Sequence, residues 1–234
     1  MRAPASTDRD REVLDLWERG VGLDRWRRDD ALLADDAPRA LGARNIALVG
    51  LRNRLFDRGW PLKSTCPACA TECDFEIDGP ALAGHLRLPG EPGGSFDWNG
   101  LTLTARPPTV EDLAAVSRAT DRASAASDLL GRCIGGPLDV AALDDAGIEA
   151  LGQRLERLDP AALVSFELAC PACRHPWSAA LDVGEALWLE LQRAAERLLA
   201  DVDSLARAYG WTEAEVMRLS PTRRAAYLQM VGSA

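Results

Sequence analysis

The sequence predicts an α+β fold that is mostly helical, with N-terminal helices and a long C-terminal helical segment around a split zinc-ribbon-like β module carrying a helical insertion. Three observations lead there. Residues 1–62 and 184–234 carry apolar side chains at helical spacing. The tetrapeptide Cys-Pro-Ala-Cys occurs twice, at Cys66–Cys69 and Cys170–Cys173, each time leading into a strand-like alternation. The intervening 107–160 is largely Ala-rich and helical in pattern. Five regions follow: 1–62 helical, 63–106 first cysteine knuckle and β-hairpin, 107–160 helical insertion, 161–183 second knuckle and strands, 184–234 C-terminal helices.

The first region predicts three helices. Asp8 to Arg19 has Val13, Leu14 and Trp17 on one face and stops at Gly20. A second runs from Arg25 to Asp35. A third spans Ala43 to Arg58, with Ile46, Ala47, Leu51 and Leu55 in one stripe and Gly59 as the residue past its end. After the first CPAC turn, Cys73 to Asp78 alternates with Phe75 and Ile77 on one face, and His85 to Leu88 alternates again. Asn99-Gly100 supplies the positive φ angles of a two-residue hairpin turn between Phe96 and Thr104. Arg106-Pro107-Pro108 ends that β region, and Thr109 is the N-cap of a helix beginning VEDLAAV. Helix continues to Leu158, interrupted at Gly135-Gly136-Pro137.

Leu163–Leu168 and Trp177–Leu181 are predicted strands flanking the second CPAC turn. Because the segments after the two turns are similar, they are expected to pair with each other. A long amphipathic helix then covers Gly184 to Tyr209, with Trp188, Leu191, Ala195, Leu198, Val202 and Leu205 in one stripe. Thr212 with Glu215 forms a capping box, and Ser220-Pro221 starts a last short helix.

The chain has 234 residues, 47% of them hydrophobic, enough for one core or for one core with a satellite. Its net charge is −9, and Lys63 is the only lysine. That balance disfavours nucleic acid, which needs clustered cations. The charged opening residues contain no apolar signal core, and no apolar run approaches the length of a membrane span, so a cytoplasmic protein is expected. In a reducing compartment six cysteines point to metal or packing rather than to disulfides.

Two CxxC turns offer four thiolates, Cys66, Cys69, Cys170 and Cys173, which is the ligand set of one structural Zn2+. Their separation far exceeds the usual 15–20 residues between such pairs, so the fold must bring them together. The competing readings are buried free thiols or a redox CxxC, but the latter needs a strand before and a helix after it, whereas strands follow both turns. Cys73 completes a CxxCxxxC pattern and could substitute as a ligand, but it starts a strand and is expected to pack. Cys133 is expected to be core, and His175 to be exposed or to support the site rather than to replace a ligand. With four protein ligands a zinc ion has no open position for water. The chain also lacks GxSxG, HExxH and Walker A motifs, so no enzyme is expected.

Several segments carry a resemblance. Leu205-Ala-Arg-Ala-Tyr-Gly-Trp211, Glu213–Val216 and Leu219-Ser-Pro-Thr-Arg-Arg-Ala-Ala-Tyr-Leu228, with the CPAC segment before them, resemble the C-terminal region of the T4-like bacteriophage baseplate protein family. Trp17–Gly20, Leu41–Arg44, Leu51-Arg52, Leu55-Phe56 and Leu101–Leu113 fit the same family. Its members occur in contractile phage tails and in phage-tail-like contractile injection systems. The resemblance implies a role in forming the baseplate, partners among other baseplate or tail proteins, incorporation into such a particle or help in assembling it, and no catalytic residues. Tyr209, Trp211, Tyr227 and Leu228 are the candidate partner contacts, since aromatic side chains are favoured binding anchors. The same four residues could equally be core.

Overall fold

The computed structural model describes residues 6–34, 37–86 and 93–232. Three helices open it: α1 (Ser6–Gly20), α2 (Arg25–Leu33) and α3 (Leu41–Leu55). Asp24 caps α2 by accepting from the amides of Trp26 and Arg27. The predicted end of this helix at Asp35 lies outside the described residues. The predicted extension of α3 to Arg58 is corrected, because the chain turns extended at Phe56 and Gly59 opens a strand.

That strand, β1 (Gly59–Thr65), pairs antiparallel with β2 (Glu72–Asp78), and the first CPAC turn joins them. Helix α4 (Gly79–His85) follows, capped by Asp78, so His85 ends a helix rather than starting the predicted strand. Arg87 and Leu88 lie outside the described residues. The hairpin β3 (Gly94–Trp98) and β4 (Leu101–Ala105) turns at Asn99 and Gly100, both at positive φ, and β4 also pairs with the short β5 (Ile134–Gly135). Helices α5 (Val110–Val116), α6 (Arg122–Cys133) and α7 (Asp145–Leu158) complete the insertion. The second hairpin, β6 (Val164–Ala169) and β7 (Pro176–Leu181), surrounds the second CPAC turn and leads into α8 (Val183–Tyr209), α9 (Glu213–Met217) and α10 (Pro221–Gly232).

The expected pairing of β2 with β7 is therefore wrong. Each turn is tight enough to bring its own flanking strands together, so each knuckle is a self-contained hairpin. The internal repeat is longer than the cysteine turns alone. Position by position, 104 residues apart, α3 matches α7, β1 matches β6, Cys66 matches Cys170, β2 matches β7, and Asp78 matches Asp182. Both aspartates cap the helix that follows, accepting from Ala81 and Glu185 respectively.

Two cores form. The larger joins Leu16, Leu48, Val49 and Leu55 from the N-terminal helices with Trp60 and Leu62 of β1, Val164 of β6, Leu191, Ala195 and Leu198 of the predicted α8 stripe, and Met217 of α9. The smaller joins Leu103 of β4 to Leu130, Leu151, Leu155 and Leu158 of α6 and α7. The β3–β4 hairpin, expected to go with the first knuckle, therefore packs on the insertion helices instead, because Leu103 and Ala105 face them. The two cores are sewn at the start of α3. There Ala40 provides no side-chain cap, and Asp159 serves instead, its Oδ2 accepting from the Gly42 amide at 2.8 Å. A Cβ at Gly42 would lie 1.8 Å from Asp159 Oδ1, so only glycine permits this approach. Among the described residues no helix is long and apolar enough to cross a membrane.

Asp112 anchors the insertion. It is 2% exposed, completes the capping box with Thr109, and accepts from Arg106 (2.6 and 2.9 Å) and Arg132 (2.9 Å). The Arg106 guanidinium foremost, then the Thr109 amide and hydroxyl, hold its carboxyl well below the usual carboxylate range. A depressed folded value means stability present above the unfolded value of about 4 and lost as pH falls through that region and below. Because both arginines are half exposed, Asp112→Ala is expected to cost about 2 kcal/mol at pH 7. In thermal melts the gap from wild type should close as the pH falls from about 4; a gap independent of pH would contradict this.

Candidate metal centre

Each CPAC turn is built the same way. The amide of the first cysteine donates to the carbonyl five residues on: Cys66 to Thr71 at 2.9 Å, Cys170 to His175 at 3.0 Å. The carbonyl of the first cysteine accepts from the residue after the second, Ala70 or Arg174, at 2.9 Å in both. Those two residues have φ of 58° and 62°, the left-handed region, which is how the chain reverses within one turn while both sulfurs stay on its inner side. In each turn the first cysteine is buried and the second exposed.

Among the described residues, Cys66, Cys69, Cys170 and Cys173 are the group whose ligand atoms all lie within 4.8 Å of one another, and they could hold a metal ion. Across the two turns, Cys66 Sγ is 3.7 Å from Cys173 Sγ, and Cys69 Sγ is 3.6 Å from Cys170 Sγ. These separations are far beyond a disulfide bond of about 2.05 Å. They match the edge of about 3.8 Å that a tetrahedron of sulfurs has when its centre lies 2.3 Å from each. The two hairpins touch through Phe75 and Phe166, whose ring centres are 6.1 Å apart.

No family model, curated protein or solved structure matches the chain.

The four thiols differ in how readily they ionise. The amides of Cys173 and Ala172 face the Cys170 sulfur and bring its pKa down to about 6 against the pull of burial. The Thr71 hydroxyl and amide lower Cys69. At Cys173 the His175 amide favours the thiolate, yet the Cys69 sulfur, burial and the Cys170 and Cys66 sulfurs push it up to about 12. Without a positive centre some sulfurs carry charge only because neighbours keep their protons. A divalent ion would let all four ionise.

The remaining sequence candidates separate. Cys133 lies in the smaller core, 4.0 Å from Asp112 Oδ2, and burial pushes its thiol up to about 11. His175 is exposed and contributes its carbonyl. Cys73 is 7% exposed and packs with Cys66 and Cys170, covered by Trp177. Tyr209, Trp211 and Tyr227 form one aromatic cluster with ring centres 4.7 to 5.7 Å apart; Tyr209 is exposed, while Trp211, Tyr227 and Leu228 are half-buried. The short C-terminal helices also belong to the protein's own packing. Val216 and Met217 are buried, and Arg224 joins Asp10 of α1 (2.6 Å) to Asp201 of α8 (3.2 Å). Sequence reasoning missed that buried arginine, since Arg218 and Arg223 beside it are exposed and nothing in the run marks the third as different.

Proposed function

We propose that the chain is a non-enzymatic structural or assembly component of the baseplate of a contractile phage tail or phage-tail-like injection system, stabilised by one zinc ion on Cys66, Cys69, Cys170 and Cys173. The observation that carries the zinc half is that four sulfurs from turns 104 residues apart all lie within 4.8 Å of one another, two pairs at 3.6 and 3.7 Å. An all-thiolate tetrahedron suits zinc, and four protein ligands leave no position for a reacting water. A staple of this kind ties segments together and performs no chemistry.

The baseplate half rests on the resemblance of the C-terminal and N-terminal segments to that family. The geometry of the C-terminal end supports an interaction role. Tyr209, 40% exposed, stacks on the half-buried Trp211 beside Tyr227, Met230 is 61% exposed, and exposed Arg218 and Arg223 lie in the same C-terminal segment. Aromatic and arginine side chains together are common anchors of protein interfaces. A nucleic-acid role finds no support at the cysteine module, where the exposed positions of β2 are Glu72, Asp74 and Glu76, and Lys63 is paired with Glu72 and Asp74.

The test is genetic and biochemical. Deleting the gene should stop assembly of contractile particles, and Tyr209→Ala should weaken capture of baseplate proteins by about 30-fold, a loss typical of an interface anchor. That variant should keep its metal and melting temperature. Presence of the chain in purified mature particles would make it a permanent component; presence only in assembly intermediates would make it a chaperone. Normal particle yield without the chain would end the baseplate reading.

A further inference from the structure

A fifth sulfur stands beside the four. In the 104-residue repeat, Cys73 occupies the position that Trp177 holds in the second half, and both side chains cover the sulfur cluster. The covering job is thus done in one half by an indole and in the other by a thiol, so packing alone does not call for sulfur at this position. Cys73 lies on the inner face of β2 with Phe75 and Ile77, between the exposed Glu72 and Asp74. Its Sγ is 3.5 Å from the Thr71 carbonyl oxygen, the same oxygen that accepts the Cys66 amide. It therefore sits at the mouth of the first turn, packed against Cys66 and Cys170.

Building on the zinc reading above, we propose that Cys73 is a reserve ligand that takes the coordination position of Cys170 when that bond opens. In the exchange a Cys73 sulfur–zinc bond forms as the Cys170 sulfur–zinc bond breaks, and the Cys73 proton passes to the released Cys170 thiolate. Zinc has four sulfur ligands before and after the exchange, and no oxidant or reductant is needed. Such a ligand slows metal loss, because an ion held briefly by three thiolates is recaptured before it escapes. Cys133, in the other core, has no such access and serves as the control.

The experiment measures zinc content, zinc loss to excess chelator, and the thiolate-to-metal absorption of cobalt-loaded protein, all under reducing conditions. Cys170→Ser is expected to keep one metal with the absorption of four thiolates, whereas Cys170→Ser/Cys73→Val should fall to the intensity of three and lose zinc at least about tenfold faster. Cys73→Val alone, which keeps an apolar cover, should still bind one zinc but release it about tenfold faster than wild type. Cys133→Val should change neither quantity. If wild type holds one zinc and Cys170→Ser holds none, or shows only three thiolates, the reserve role is wrong while the zinc centre stands. If Cys170→Ser cannot be purified folded, an unchanged release rate in Cys73→Val overturns the proposal by itself. Wild-type protein without zinc would remove both readings together.

Discussion

Stripping the zinc proposed on the four cysteines is expected to abolish the cooperative thermal transition of the larger core. The four sulfurs join a hairpin that carries Trp60 and Leu62 to one that carries Val164, and all three side chains lie in that core. A structural zinc contributes on the order of 10 kcal/mol in small modules, as much as the whole stability of a typical domain, about 5–15 kcal/mol. The effect should therefore be large. Circular dichroism of reduced protein with and without a strong chelator measures it, and a melting temperature within about 2 °C in both would refute the claim. Metal binding must displace thiol protons, so acid competes with the ion, and the stabilisation should be present at neutral pH and lost on acidification.

The second large effect is expected at Arg52, which is fully buried between α3, β1 and α8. Its guanidinium makes a two-pronged contact with Glu190 (2.9 and 2.8 Å) and donates to the carbonyls of Gly59 (2.6 Å) and Asp57. The plane also lies 5.1 Å from the Trp60 ring centre. Those carbonyls belong to the bend between α3 and β1, so one side chain fixes both the direction of the strand and its approach to α8. Arg52→Met would leave a largely buried carboxylate and two carbonyls without donors, at a cost of about 3–5 kcal/mol. For a chain of this size that is roughly 10 °C in melting temperature. Arg52→Met/Glu190→Met should recover part of the loss, because the stranded charge goes with its partner. A single-variant loss below about 1 kcal/mol would show that the ion pair does not hold this bend.

Local signals proved readable where one residue type has one job. Asn99-Gly100 marks a hairpin turn, Thr109 is an N-cap, Thr212 with Glu215 forms a capping box, and the α8 stripe from Trp188 to Leu205 lies in or against the buried interior. Errors came where spacing is silent about partners. Gly59 fits the end of a helix as well as the start of a strand, and only its pairing with Asp78 decides between them. His85 begins an alternation short enough to pass for a strand, while the Asp78 cap on the Ala81 amide starts the helix that His85 ends.

By itself the sequence determined the helix-rich α+β class, the two cysteine turns with their strand-like surroundings, and the acidic character of the chain. Composition, caps and two-residue turns act over a few positions, and their physics is contained in the neighbouring residues. The tertiary structure decided which strands pair, which core the β3–β4 hairpin joins, and that Asp159 caps a helix begun 118 positions earlier at Leu41. It also decided that Arg224 is internal and that Cys73 packs with Cys66 and Cys170. These outcomes depend on long-range burial, where a charge or thiol takes its role from groups far away in the chain, and no local pattern carries that information.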